Sequence, residues 1–340
     1  MYQIPRTMRA SVLRAPGDIA IEERPVPAVA PDEVLVEVSA VGVCGSDAHY
    51  YHDGRIGDFV VESPLVLGHE AAGTIVAVGA DISDDRVGAR VSIEPQHPDL
   101  SSRETLAGHY NLCPHMRFYG TPPVDGAFAE YVTIRSGFAF DVPDTVSDDA
   151  AALMEPLSVA IAAVRKGGVS AGQRVLVTGA GPIGVVVAQT AVAFGATTVV
   201  ISDPDLNRGE RATQFGPIDP VAPSAVADLG PFDVAIECSG APAAMDSALR
   251  ALRPAGTLVL VGMGPDDITV ALPVLQNREL VVTGVFRYAN TWPTAIELVR
   301  TGRVDLDRLV TGHYALEETG KALRAVSDSA QLKLIVNPQR

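Results

Sequence analysis

Gln173-Arg174-Val175-Leu176-Val177-Thr178-Gly179-Ala180-Gly181-Pro182-Ile183-Gly184 decides the fold of the second half of this chain. A β-rich run ends in a glycine-rich turn, and Val185 to Phe194 follow as an apolar helix. Thr197-Thr198-Val199-Val200-Ile201 reads as the next strand, with Asp203 at its end. A GxGxxG pattern alone is weak. Here it has a strand before it, a helix after it and an acid about twenty residues on, which is the dinucleotide fingerprint. The glycines let backbone approach a pyrophosphate, and the helix N-terminus holds it. Gly179, Gly181, Pro182, Ile183 and Gly184 are therefore candidate cofactor residues. Asp203 would accept hydrogen bonds from an adenosine ribose and repel a 2′-phosphate, so NAD is expected over NADP. Arg208 could touch the same ribose or soften that repulsion.

The βα pattern continues outward. Phe232–Glu237 reads as a strand, Pro242–Leu252 as a helix and Gly256–Val261 as a strand that ends at Gly262-Met263-Gly264. Open parallel sheets bind ligands outside their strand C-termini, which makes Val261, Gly262 and Met263 candidates for nicotinamide contact. Cys238 is expected to pack there. The expectation is a doubly wound parallel sheet over residues 151–287. Val175 to Ile201 carries no charge and is long enough by hydropathy to span a membrane. Gly179, Gly181, Pro182, Gly184 and Gly195 punctuate it as strand-turn-helix-strand instead.

The first half has another grammar. Residues 8–40 alternate short β-rich runs, such as 9–13 and 34–38, with turns at Pro25, Pro27 and Pro31, so an antiparallel β unit is expected. Val66-Leu67-Gly68-His69-Glu70-Ala71-Ala72-Gly73 places an imidazole beside a carboxylate in an apolar setting. A carboxylate buried there needs a partner, and a divalent metal is one. A core histidine beside a surface glutamate is the alternative. Val41-Gly42-Val43-Cys44-Gly45-Ser46-Asp47-Ala48-His49-Tyr50 puts Cys44 at a turn. Thiolate, imidazole and carboxylate form a common zinc set, although a buried structural thiol is also ordinary. Glu155 stands before Pro156 in the helical pattern 150–163. It is either a helix start favoured by the dipole or a buried acid with a partner.

The totals narrow the function classes. A chain of 340 residues suggests two domains. A net charge of −15 argues against nucleic acid, anionic membrane surfaces and polyanionic substrates. Three cysteines in such a chain give no disulfide framework and fit a reducing cytosol. Met1 to Arg9 has no apolar core of signal-peptide length. A cytoplasmic location is expected.

Gly-His-Glu-Ala-Ala-Gly at 68–73 with Gly79, and Val-Gly-Val-Cys-Gly-Ser-Asp-Ala-His-Tyr at 41–50, resemble the zinc signature and first ligand loop of the medium-chain alcohol dehydrogenase superfamily. Residues 280–293 resemble the segment by which sorbitol and xylitol dehydrogenases return from the nucleotide domain to the zinc domain. The resemblance implies a GroES-like β-rich catalytic domain over 1–150 and 288–340, and a Rossmann NAD-binding domain over 151–287. It implies Cys44, His69, Glu70 and Glu155 around one catalytic zinc, the glutamates directly or through water. Ser46 matches the hydroxyl that bonds the reacting alcohol, and His49 the far end of a proton relay. Tyr50, Phe118, Glu155, Arg287 and Tyr288 are implied substrate contacts, and Val285, Phe286 and Arg287 lie along the cofactor. An ordinary core aromatic competes at Phe118 and an interdomain ion pair at Arg287. Many relatives carry four cysteines for a structural zinc. Here those positions read Asp99, Ser102, Thr105 and Cys113, so no structural zinc is expected.

The expected reaction is NAD-dependent oxidation of a polyol to a ketose. A related zinc dehydrogenase acting on threonine, idonate or a simple secondary alcohol is the alternative, and a non-catalytic NAD-binding protein the more distant one. The resemblance implies a homotetramer, or a dimer.

Overall fold

The computed structural model describes residues 2–340. The chain divides into one unit of residues 1–155 and 306–340 and a second of residues 156–305. The sequence reading put the crossings at 150/151 and 287/288. The observed second crossing lies later because helix Trp292–Arg300 stays with the second unit, where Arg165 donates to Asn290 O (3.0 Å) and to Thr294 Oγ1 (2.8 Å).

The first unit is β-rich, as expected. Strands Thr7–Ala15 and Asp18–Pro25 pair antiparallel, and Leu65–Val66 adds to the former. The larger sheet runs Ala139–Asp141, Arg90–Ile93, Glu70–Val78, Glu33–Gly42, Lys333–Asn337 and Val310–Ala315 in spatial order, with Tyr131–Arg135 also paired to Glu33–Gly42. Val12, Val36, Ile75, Phe128, Ile134 and Val336 are fully buried in its core. Two registers place the candidate metal site. Gly42 lies opposite Glu70, and Ile335 lies opposite Gly42. Both put the C-terminal strand beside the Gly-His-Glu motif.

Cys44, read as a turn residue, is the N-cap of helix Gly45–Asp53. That helix was not expected because Ser46, Asp47, His49, His52 and Asp53 give it no apolar period. The helical pattern 150–163 is two helices, Asp148–Ala152 and Met154–Gly167, broken at Leu153.

The second unit is a six-stranded parallel sheet ordered Asp219–Val221, Thr198–Ser202, Arg174–Thr178, Phe232–Glu237, Leu252–Leu260 and Val281–Gly284. Strand order reverses between Arg174–Thr178 and Phe232–Glu237, where open sheets take their ligands. The uncharged run 175–201 resolves into strand, helix Pro182–Ala193 and strand. No helix among the described residues is long and apolar enough to cross a membrane.

Candidate metal centre and dinucleotide turn

Strand Glu70–Val78 starts one residue after His69, and helix Gly45–Asp53 starts one residue after Cys44. The two element ends bring Cys44 Sγ, a ring nitrogen of His69 and a Glu70 oxygen within 4.8 Å of one another. Among the described residues no other such group of three occurs. Zinc bonds of about 2.0–2.3 Å place tetrahedral ligands roughly 3.5 Å apart, so small side-chain shifts would close the set. His69 is 8% exposed and Glu70 0%. Glu70 Oε2 is buried with no hydrogen-bond partner. A carboxylate with one orphaned oxygen, grouped with a thiol and an imidazole, fits a divalent cation of borderline softness.

Two residues that the sequence reading gave no role complete the centre. Asp47 is fully buried and accepts from Cys44 N and from Gly68 N, each at 3.0 Å. Its Oδ1 also lies 3.6 Å from His69 Nδ1. One carboxylate thus ties the cysteine and histidine loops together and faces Nδ1 of His69, which leaves Nε2 free to take a cation. Burial pushes the His69 pKa down, but Asp47 and Cys44 outweigh it and hold the ring well above the ordinary histidine value. Metal binding must displace that proton. The second residue is Lys333, whose ammonium is buried and donates to Glu70 Oε1. Burial pushes Lys333 down, while Glu70, Cys44 and Glu155 push it up and win. A lone lysine in the apolar run Leu332-Lys333-Leu334-Ile335-Val336 was the available signal, because buried lysines are rare unless paired.

Gly42 makes room for this pair. A Cβ there would stand 2.0 Å from Glu70 Oε2 and 3.0 Å from Leu153 Cδ2. Glu155 is buried at 5% exposure and lies outside the three-residue group, though its charge reaches both Lys333 and Glu94.

The other sequence candidates of this unit sort by exposure. Ser46 is half-buried in the first turn of helix Gly45–Asp53. His49 is exposed, with Nδ1 3.2 Å from Asp53 Oδ2. Tyr50 is buried on the same helix. Phe118 is buried, its ring 5.6 Å from that of His69, so it packs on a proposed ligand.

In the second unit Gly179 has φ +92°, and a Cβ on Gly184 would stand 1.8 Å from Gly179 O. Both positions require glycine. Pro182 opens the helix, and Ile183 and Gly184 carry first-turn N–H groups that the helix itself cannot satisfy. Asp203 is 6% exposed and accepts from Ala180 N at 2.7 Å and Asp205 N at 2.8 Å. It therefore holds the glycine turn, a task the sequence reading did not give it, and each oxygen keeps further acceptor capacity. Arg208 is half-buried in helix Leu206–Ala212. Val261 and Gly262 both donate to Glu237 O, and Met263 is exposed. Val285 is half-buried and Phe286 exposed. Arg287 has φ +53°, with its guanidinium 4.9 Å from the Phe286 ring centroid. Tyr288, by contrast, is 1% exposed and packs its ring against Trp292.

Comparison with known families agrees with this geometry. The family profile "Alcohol dehydrogenase GroES-like domain" matches residues 30–144, and "Zinc-binding dehydrogenase" matches residues 182–301. The chain belongs to the zinc-dependent medium-chain dehydrogenases. Similarity to other zinc-dependent dehydrogenases extends over its whole length. It is 41% identical to a sorbitol dehydrogenase of Bacillus subtilis, over 100% of this chain and 99% of that protein. A putative zinc-binding dehydrogenase from Sinorhizobium meliloti, solved bound to NADP, superposes with a TM-score of 0.91 at 31% identity, covering 98% and 99% of the two chains. L-idonate 5-dehydrogenase from Escherichia coli superposes with a TM-score of 0.90 at 29% identity, covering 97% and 98%. The GroES-like and Rossmann expectations hold, as does the assignment to a nicotinamide-dependent zinc enzyme.

Proposed function

We propose that this dehydrogenase oxidises a polyol such as sorbitol or xylitol to a ketose and passes the hydride to NAD. The observation that carries the reading is the Cys44–His69–Glu70 group, in a chain 41% identical to a sorbitol dehydrogenase over its full length. Cys44, His69 and Glu70 would hold zinc, with Glu155 as a further acid nearby. The ion, when bound, would supply Lewis acidity toward a hydroxyl oxygen. Asp47 fixes the imidazole, and Lys333 offsets the charge of Glu70. Ser46 is the proposed acceptor of the hydroxyl proton, with His49 as its exit to solvent. Arg287, with several fixed donors, suits a hydroxyl-rich ligand. Tyr50, Phe118 and Tyr288 are the other proposed substrate contacts, and Tyr288 also packs on Trp292.

NAD is proposed over NADP because Asp203 follows strand Thr198–Ser202, and its charge would repel a 2′-phosphate. NAD should give the higher kcat/KM. An equal or better NADP rate would overturn that assignment. One zinc per chain is the proposed content. At the structural-zinc positions, Cys113 Sγ accepts from Asp99 N at 3.3 Å, and Ser102 Oγ donates to Thr105 Oγ1 at 2.8 Å. The proposed assembly is a homotetramer, or a dimer. In support, the sheet edge Val281–Gly284 exposes Val281 and Val282 and carries no charge. The unpaired thiols of Cys44, Cys113 and Cys238 favour a cytoplasmic setting.

The deciding experiment is NAD reduction with sorbitol, xylitol, threonine, idonate and ethanol, with and without a zinc chelator. Chelator-sensitive turnover highest on a polyol is expected. Preference for threonine, idonate or ethanol would transfer the substrate to a sister activity, and zinc and NADH binding without turnover would leave a non-catalytic protein.

A further inference from the structure

Glu237 ends the strand beside Arg174–Thr178, and nothing in the reaction described so far uses it. It is 2% exposed. Its carboxylate is met by hydrogen-bond donors of a single turn and one strand end, rather than by a cation. Oε1 accepts from Ser239 N at 2.7 Å, from Ser239 Oγ and from Thr178 Oγ1 at 3.4 Å. Gly240 N is shared between Oε2 at 3.0 Å and Oε1 at 3.1 Å. The backbone oxygen of the same residue accepts from Val261 N at 2.8 Å and Gly262 N at 3.0 Å.

The carboxylate ties the turn at 238–240 to Thr178 at the end of the neighbouring strand, and the backbone oxygen ties the same residue to Val261 and Gly262 at the end of the strand on its other side. The turn at 238–240 is wedged between the Gly179–Gly184 turn and Gly262-Met263 with no spare room. A Cβ on Gly179 would lie 3.0 Å from Ser239 Cβ, and one on Gly262 would lie 2.2 Å from Gly240 N. One on Gly240 would lie 1.9 Å from Met263 O. The position of Ser239 and Gly240 therefore fixes how far the Gly179–Gly184 turn stands from Gly262-Met263. Asp203 holds the glycine turn from the other side through Ala180 N. We infer that Glu237 is a positioning residue for the dinucleotide: it sets the spacing of the three turns that a nicotinamide cofactor spans, without touching the cofactor itself. This inference rests on reading the 179–184 turn as the dinucleotide site.

The test uses the zinc-loaded full chain and NADH fluorescence titration. Glu237→Gln keeps the shape but replaces an acceptor oxygen with a donor that faces the N–H of Gly240. The expected result is an NADH Kd and an NAD KM raised by about tenfold or more, the scale of a lost charge-assisted hydrogen bond, with kcat at saturating NAD within about twofold and zinc content unchanged. Asp233→Asn is the control for mere loosening of the strand. Asp233 sits at the opposite end of the same strand, accepting from Arg174 N at 2.7 Å and pairing with Arg253, and its variant should bind NADH as the unaltered protein does. Ser239→Ala removes one donor and should raise Kd by about two- to fivefold, so it decides the question if Glu237→Gln does not fold. Unchanged NADH affinity in the variants, or an equal loss in Asp233→Asn, would overturn the inference. Failure of the unaltered protein to bind NADH would overturn the dinucleotide reading itself.

Discussion

Gly42 is the residue on which the metal centre is most exposed to damage. Its strand register sets it opposite Glu70, and only the missing side chain admits that carboxylate. Gly42→Ala should displace Glu70 and lower zinc affinity by at least about tenfold, the scale for disturbing a ligand's support. Zinc retained after dialysis checks this, and unaltered retention would refute the packing argument. Lys333→Met should behave differently with and without metal. Removing one partner of a buried ion pair costs about 3–5 kcal/mol. Denaturant unfolding of zinc-free protein should show that loss, and zinc-loaded protein a smaller one, because the cation replaces the missing positive charge. Cys44, His69 and Glu70 were legible because local motifs carry them. Lys333 was not, because its partner lies 263 residues away and only strand pairing joins them. Asp47 was visible as a letter but not as a brace, since its bond to Gly68 N depends on two loops meeting.

At the scale of an element, the stretch from Glu94 through strand Gln96–His97 carries two titrating groups of opposite sense, Glu94 buried and His97 half-buried. Burial, with help from Glu155, raises Glu94 to about 7 against bonds from Tyr110 and Gln96. Burial, with Arg117 and Arg135, lowers His97 to about 4. For Glu94 the folded pKa lies above the unfolded one. Its contribution is complete below pH 4.5 and is lost as pH rises through 7. For His97 the contribution is complete above pH 6.5 and is lost as pH falls through 4. The two slopes oppose each other over most of their range. Glu94→Gln should therefore expose a stability that climbs with pH between those His97 limits. It should also exceed the unaltered protein above pH 7 by up to roughly 3 kcal/mol, read from unfolding curves across pH. Elements with a clear period were legible, including Phe232–Glu237, which has the expected bounds. Helix Gly45–Asp53, which carries a capping box from Asp47, and helix Leu272–Asn277, which opens on Leu272-Pro273, were not, being short and without an apolar stripe.

For the whole molecule, the fold class was legible because each half has its own periodicity: alternating β runs in one, and strand-turn-helix repeats in the other. The second crossing was not, since helix Trp292–Arg300 packs by contacts such as Arg165 to Thr294 that no local pattern announces. Metal analysis should return about one zinc per chain, and two would contradict the oxygen-rich reading of Asp99, Ser102 and Thr105. Zinc added at a hundredfold excess over its Kd should raise unfolding stability by about 2.7 kcal/mol, and a chelator should remove that gain.

The pairing of Lys333 with Glu70 also bears on how the protein is made. Every proposed ligand lies within the first 155 residues, yet the cation that neutralises Glu70 belongs to a strand translated well after all of them. A nascent chain could gather its ligands early but would lack the ammonium that pairs with Glu70 until residue 333 had emerged. Truncation just before residue 333 would spare every ligand and still leave the centre immature.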